Sequence, residues 1–278
     1  MSSLAVVTGS SGRVGGAVVR ALEDAGWRTR GVDLSPGPRT GVVGDLRDAR
    51  VRDALVDGAD VVVHAAALHA PHVGLVGDAE FRSVNVDATA ALLDDAGAAG
   101  VRRFVYISST SVYGHALVPA DRAVWVDEDL PPQPRDIYDE TKSAAERLVA
   151  AGPMTSAILR IARCFPEPLP VLAVRRLHRA VRLADVAAAT ASAAAHDGVT
   201  GTFNIAGRYP FTRADCVALH HDAAGVVAER APEVAAAFHA RGWPLPRRID
   251  RVYDSSAATN AFGYQPTEGV LRLLGKPG

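Results

Sequence analysis

Lysine is almost missing from this chain: Lys142 and Lys276 are the only two among 30 basic residues, the others being arginine. Cysteine is equally scarce, with Cys164 and Cys216 alone and no CxxC pair. That excludes a disulfide framework, a cysteine zinc site and a dithiol redox motif. Net charge is close to nil at −1, so nothing draws the chain to nucleic acid or to an anionic membrane surface. No apolar run approaches the roughly 20 residues a membrane-spanning helix needs. The N-terminus lacks a basic leader region and glycine interrupts its apolar stretch, so a soluble, cytoplasmic protein without signal peptide is expected. His64, His69 and His72 lie close in sequence, but no neighbouring carboxylate or cysteine completes a ligand pattern, and no metal is expected.

Against this background the position of one lysine is informative. Lys142 closes the run Tyr138-Asp139-Glu140-Thr141-Lys142. Residues four apart share a helix face, so the phenol and the ammonium look into the same space. A guanidinium cannot replace a compact ammonium beside a phenol that must lose its proton. The expectation is that Lys142 lowers the Tyr138 pKa toward the working range of an acid/base catalyst.

A second motif opens the chain. The apolar run Leu4-Ala5-Val6-Val7 leads into Thr8-Gly9-Ser10-Ser11-Gly12-Arg13-Val14-Gly15 and then into a helical pattern through Val18, Val19 and Leu22. A glycine-rich turn between strand and helix lets backbone N–H groups approach a pyrophosphate at the positive end of the helix dipole. The next strand pattern, Thr29-Arg30-Gly31-Val32-Asp33, ends in an acid. Its carboxylate would accept the adenosine ribose hydroxyls and repel a 2′-phosphate, which favours NAD over NADP. Arg13 and Arg39 are the residues that could weaken this preference.

Strand and helix patterns alternate along most of the chain. Strands are expected at 41–43, 60–63, 103–107, 157–161 and 201–205, with helices through 51–55, over 79–98 and up to 151. Such alternation gives an α/β fold, a doubly wound parallel sheet covered on both faces. From Gly207 onward proline and arginine rise, and Trp243-Pro244-Leu245-Pro246 interrupts any long helix. At 278 residues with 48% hydrophobic side chains, one core with an attached lobe is expected. The Rossmann part is placed at 1–162 plus 183–206, and a smaller substrate-binding lobe at 163–182 plus 207–278.

The pair TGxxGxxG and YxxxK, in this order and separation, resembles the extended short-chain dehydrogenase/reductase family, of the NAD-dependent epimerase/dehydratase type, from about Leu4 to about Asn204. Gly44-Asp45-Leu46 resembles the segment bordering the adenine, and Val63-His64-Ala65-Ala66-Ala67 the strand end lining the cofactor. Asn85 stands where the family often has asparagine. Val105 to Gly114 resembles the strand with the third catalytic hydroxyl, and counting back from Tyr113-Gly114 puts that hydroxyl on Ser109. The resemblance implies a Ser109, Tyr138, Lys142 catalytic set. It implies a cofactor site from Gly9, Ser11, Gly12, Arg13, Val14, Gly15, Asp33, Asp45, Leu46, Ala65, Ala66, Ala67 and Asn85, together with Tyr138 and Lys142. Packing of the Ala-rich helices, as in family dimers, implies a homodimer.

For substrate, the chain departs from the sugar-nucleotide enzymes of the family. Only about twenty residues separate Cys164 from Asp185, short for a nucleotide clamp, and Thr110-Ser111 stand where the dehydratases carry Asp-Glu. Locally, Asp33 to Pro36 and Arg160 to Pro168 resemble uronate dehydrogenase. That resemblance implies Arg175 as a ligand for a substrate carboxylate. The position of His69 after the fourth strand puts it near the nicotinamide end as a further substrate contact, and Ser109 and Thr110 are expected to line the same space. The function expected is hydride transfer between NAD and a secondary alcohol or carbonyl of a small carbohydrate-like molecule, a sugar acid among them. The alternatives are an epimerase with the same three residues and, from another class, a non-catalytic NAD(P)-sensing protein.

Overall fold

The computed structural model describes residues 3–267 and 269–275. Among these, the strands are β1 (Leu4–Thr8), β2 (Arg28–Asp33), β3 (Val42–Val43), β4 (Val61–His64), β5 (Arg103–Ser109), β6 (Val124–Val126), β7 (Thr155–Ile161), β8 (Gly201–Ile205) and β9 (Arg251–Tyr253). Seven form one sheet in the order β3-β2-β1-β4-β5-β7-β8, every pair parallel. Strand order reverses between β1 and β4, which opens a crevice at the carboxyl ends of these strands.

The helices up to the last sheet strand are α1 (Arg13–Asp24), α2 (Ala49–Val56), α3 (Asp78–Arg82), α4 (Ala88–Ala98), α5 (Ile137–Ala151), α6 (Leu169–Arg176) and α7 (Leu183–Ala195), of which α6 joins the lobe rather than the sheet. Successive strand residues point to opposite faces, and both faces are apolar. Ala5, Val7, Val61, Val63, Val105 and Ile107 enter one core together with residues of α1 and α7. Val6, Val62, Phe104 and Tyr106 enter a second with residues of α2, α4 and α5. Burial on both faces is why these strands read as continuous apolar runs.

The helix expected over 79–98 runs unbroken from Asp78 to Ala98, but not as one regular α-helix. A wide π-type turn, Ser83–Asp87, separates α3 from α4 and carries the buried Asn85.

The remaining helices are α8 (Cys216–His221), α9 (Ala223–Arg230), α10 (Pro232–His239), α11 (Ser256–Phe262) and α12 (Val270–Leu273). A third apolar cluster joins Leu177, Phe211, Leu219, Val227, Phe238 and Val252. Two segments cross the division drawn from sequence. Ala123 enters this third cluster, and β6 beside it pairs in parallel with β9, Val124 opposite Arg251 and Val126 opposite Tyr253. In the other direction, Tyr253, Ala258, Phe262 and Tyr264 sink into the core under α1 and α7. Lobe and sheet are therefore tied by chain that passes between them repeatedly.

Candidate active site

The glycine loop is shaped by contacts that only glycine permits. Gly9 has φ +71°, and a Cβ there would lie 2.9 Å from the Ala66 nitrogen. A Cβ on Gly15 would fall 2.1 Å from the Gly9 carbonyl oxygen, so α1 starts in contact with the turn that precedes it. Gly12 caps the twelve-residue α1 with extended backbone and no side-chain cap. The first-turn N–H groups, from Arg13, Val14 and Gly15, are thus left for an anion at the positive end of the helix. Asp33 is pinned beside them: its Oδ2 accepts the Ser11 N–H at 3.0 Å and its Oδ1 the Ser35 N–H at 3.0 Å. Arg39 turns away to Glu23, 3.1 Å. This donor set, a bare helix start with an anchored carboxylate at the end of β2, fits a dinucleotide.

A buried polar line holds the floor of the crevice. The Thr8 hydroxyl accepts the N–H groups of Ala65 and Ala66, both at 3.0 Å, and lies 2.7 Å from His64 Nδ1. The Thr89 hydroxyl donates to the Asn85 carbonyl at 2.8 Å, so its 2.9 Å contact with His64 Nε2 must be accepted from an Nε2–H. His64 Nδ1 then accepts from Thr8. Burial, with the Lys142 charge adding to it, pushes His64 down to about 3, so it stays neutral. Both ring nitrogens are engaged, and the ring serves to orient the loop after β4. Asn85 does the same: Oδ1 accepts the Leu68 N–H at 2.8 Å, while Nδ2 donates to the Leu68 carbonyl at 2.9 Å and to Thr141 Oγ1 at 3.1 Å. The side chain thus fixes loop 65–68 and leaves the backbone of Ala65, Ala66 and Ala67 along the crevice. Asp45 is gripped by Arg47 at 2.6 Å, and this hydrogen bond holds its carboxyl below the usual range. The Leu46 carbonyl accepts from Arg52 at 2.7 Å.

Ser109, Tyr138 and Lys142 meet at the end of β5. Asp136 starts α5 by accepting the Asp139 N–H at 2.9 Å, which sets Tyr138 in the first turn. Ser109 lies close enough to the Tyr138 phenol to pull its pKa down, while the Ser109 hydroxyl oxygen accepts the Ser111 N–H at 3.1 Å. Lys142 is 2% exposed. Its Nζ donates to the Ile107 carbonyl at 2.6 Å and lies 4.1 Å from the centre of the Tyr106 ring. Here the structure departs from the expected electrostatics. Burial pushes Tyr138 up to about 12, with Ser109 pulling the other way. Burial also pushes Lys142 down to about 7 against the opposing charge of Glu146. Desolvation of both groups outweighs the lowering of Tyr138 that the Tyr/Lys spacing alone suggests.

The other substrate candidates lie around this centre. Thr110 is 6% exposed behind Ser109. His69 is exposed on the loop after β4, its ring 4.4 Å from that of His72 in an edge-to-face pair. Arg175, on α6, is not an open anion site: its Nε lies 2.9 Å from Glu167 Oε2, and Arg163 holds the other Glu167 oxygen at 3.0 Å. Sequence reasoning missed Glu167 as their shared partner. It also missed the buried Glu146 with Arg160 and Ser108. A charged residue inside the apolar strand run 157–161 was the available signal, because it demands a buried partner.

The fold and the glycine loop define an NAD-linked enzyme of Rossmann type. The chain belongs to the NAD dependent epimerase/dehydratase family, whose model matches residues 5–165. It is 40% identical over 174 residues to a 3 beta-hydroxysteroid dehydrogenase/Delta 5-->4-isomerase of Mycobacterium tuberculosis, covering 55% of this chain and 45% of that protein. It is 32% identical over 160 residues to a UDP-glucose 4-epimerase of Streptomyces lividans, covering 54% and 47%. The alignments thus span about half the length of these relatives. A short-chain dehydrogenase/reductase superfamily protein of Agrobacterium tumefaciens, solved with bound NAD, superposes with a TM-score of 0.72 at 26% identity, over 98% of this chain and 95% of that one.

Proposed function

We propose that the protein is an NAD-dependent oxidoreductase that interconverts a secondary alcohol and a carbonyl on a small, polar, carbohydrate-like substrate. The observation that carries this reading is the closeness of Ser109 and Tyr138, with the buried Lys142 on the same helix, at the same carboxyl end of the sheet as the glycine loop. In this reading Gly12 to Gly15 and Asp33 hold NAD, which when bound supplies acceptance or return of a hydride. Tyr138 moves the proton of the reacting hydroxyl, and Ser109 holds the same oxygen by hydrogen bond. Lys142 supplies the positive charge behind the phenol. A protein that only senses NAD would need no such proton-transfer set.

The segment after β7 supports a polar substrate over a sterol. It carries Arg163, Arg175, Arg176, Arg179 and Arg182 within twenty residues, with Glu167 shared by two of them. A substrate carboxylate would reach Arg163 and Arg175 there only by displacing Glu167 or joining it. The runner-up is epimerisation with the same three residues, supported by the UDP-glucose 4-epimerase relative. Turnover of sugar acids, neutral sugars and a hydroxysteroid, followed as net NADH formation, tests the reading. Product without NADH would favour the epimerase, and oxidation of the steroid alone would overturn the polar substrate.

Two further results are expected. Because Cys164 and Asp185 are so close in sequence and α6 fills much of the interval, neither UDP nor dTDP should raise the Tm or compete with substrate. Micromolar binding of either in a calorimetric titration would return the site to the sugar-nucleotide class. Asp33 should make NAD bind at least about tenfold more tightly than NADP, on the order of 1.4 kcal/mol, and Asp33→Ala should narrow the gap chiefly by weakening NAD. Equal affinities in the unmodified protein would remove Asp33 from the cofactor site.

A further inference from the structure

Behind the site lies a buried ion pair that the proposed chemistry does not use. Glu146 is 6% exposed and Arg160 is 6% exposed. Arg160 grips the carboxylate with both ends of its fork, Nη2 to Oε2 at 2.7 Å and Nε to Oε1 at 3.1 Å. Ser108 donates to the same Oε1 at 2.5 Å. The line continues away from the site. The Arg160 guanidinium lies 4.8 Å from the centre of the Tyr113 ring, and the Tyr113 hydroxyl donates to Asn204 Oδ1 at 2.8 Å. Asn204 Nδ2 donates to the Val126 carbonyl at 3.2 Å, and its backbone N–H to Glu128 at 2.6 Å. Glu146 is thus the end of a polar chain, and the end that stands on the helix of Tyr138 and Lys142.

Glu146 follows Lys142 by four residues on α5, so both present the same face to β5 and β7. We propose that Glu146 is a positioning residue for Lys142: clamped by Ser108 and Arg160, its carboxylate holds the buried Lys142 side chain as an ammonium aimed at the Ile107 carbonyl. This rests on the reading of Lys142 as part of the proton-transfer set. The groups around Lys142 leave Glu146 as the source of negative charge. His64 of β4 is neutral, with both nitrogens engaged. Tyr106 of β5 is buried, which pushes its phenol well above the ordinary value. Tyr138, on α5, is pushed up to about 12. Arg160, on β7, is bound to the Glu146 carboxylate. Burial drives Lys142 down, and Glu146 is the charge that opposes it. A buried pair of this kind is weak evidence for stability by itself, whereas a single clamped carboxylate beside a lone buried amine sets whether that amine carries its proton.

Lys142 and Lys276 are the only lysines, so the protein labelled with 13C-lysine gives two ε-carbon signals, assigned by Lys276→Arg. Titration of the full chain reads the Lys142 midpoint directly. In Glu146→Gln it should fall by about one pH unit or more, a tenfold rise in the acid dissociation constant. Ser108→Ala, which keeps both charges, should move it much less. If Glu146→Gln does not fold because Arg160 is left unpaired, Glu146→Gln with Arg160→Met carries the test, with a smaller fall in the same direction because the Arg160 charge is removed too. A midpoint within about a third of a unit of the unmodified protein, in whichever variant folds, overturns the proposal and leaves Glu146 a structural partner of Arg160. The measurement needs neither cofactor nor substrate. Its failure is therefore separate from failure of the oxidoreductase reading, which NADH formation decides.

Discussion

Tyr138→Phe and Lys142→Arg should each lower turnover by at least about a hundredfold, or about 2.7 kcal/mol of transition-state stabilisation. The phenylalanine variant removes one oxygen and nothing else, so the partly exposed ring still fills its place at the start of α5. NAD affinity should stay near that of the parent protein, because the phenol acts on substrate. The arginine variant tests geometry. Lys142 occupies a slot bounded by the Ile107 carbonyl, 2.6 Å away, and the Tyr106 ring, 4.1 Å away. A planar guanidinium is wider than this slot and cannot place its charge where the compact ammonium lies. In a chain that uses arginine at nearly every other basic position, such a replacement should be harmless if Lys142 were only a surface-type cation. The double variant should lose far less than the product of the two single losses, since both changes disable one proton-transfer unit. Near-parental turnover in Lys142→Arg would dissolve the proposed site, and additive losses would mean the two groups act independently.

What could be read in the sequence follows the range of the interactions. The sheet strands were legible because each is buried on both faces and its apolar run is a local signal, as in Val61-Val62-Val63. The glycine loop was legible for a similar reason, since strand, turn and helix follow one another without a gap. Pairing of Val124–Val126 with Arg251–Tyr253 was not. Both strands are three residues long, more than a hundred positions lie between them, and neither sequence names its partner. The lobe helices α8 to α10 are six to eight residues long, too short for a periodicity to emerge.

The site shows the same division. Tyr138 and Lys142 are set by spacing along one helix, so their common face was evident. Whether the phenol is raised or lowered depends on how much water the fold removes, which is a property of the packed structure. Likewise Arg175 stood out as a cation in sequence, but Glu167, eight residues earlier, decides what it can bind. With Arg163 and Arg175 both on that carboxylate, an incoming anion must displace Glu167 or join it. Affinity for an anion there would therefore depend on Glu167, a residue within the Arg160 to Pro168 run whose pairing with both arginines only the fold reveals.

Gly15→Ala should destabilise the fold, against the usual effect of alanine in a helix. Alanine inside a helix is ordinarily favoured over glycine by roughly 1 kcal/mol. Here the new methyl would lie 2.1 Å from the Gly9 oxygen, 2.7 Å from the Gly9 carbonyl carbon and 3.2 Å from the Ser10 nitrogen. All three are backbone atoms, and none can rotate aside. Gly9 cannot retreat either, because a loop at φ +71° already sits against the backbone of Ala65 and Ala66. The start of α1 must move outward, at a cost of about 2 to 3 kcal/mol, and the Tm should fall by roughly 5 °C or more. Gly12→Ala separates folding from binding. Its methyl would meet only the Gly9 oxygen, at 3.1 Å, so the Tm should change little. It would stand at the bare helix start proposed to receive the pyrophosphate, where close backbone approach is the reason for glycine. NAD affinity should drop at least about tenfold in this variant. Thermal unfolding with calorimetric NAD titration on both variants distinguishes the roles. An unchanged Tm in Gly15→Ala would mean the loop yields where the geometry says it cannot, and undiminished NAD binding in Gly12→Ala would place the pyrophosphate elsewhere.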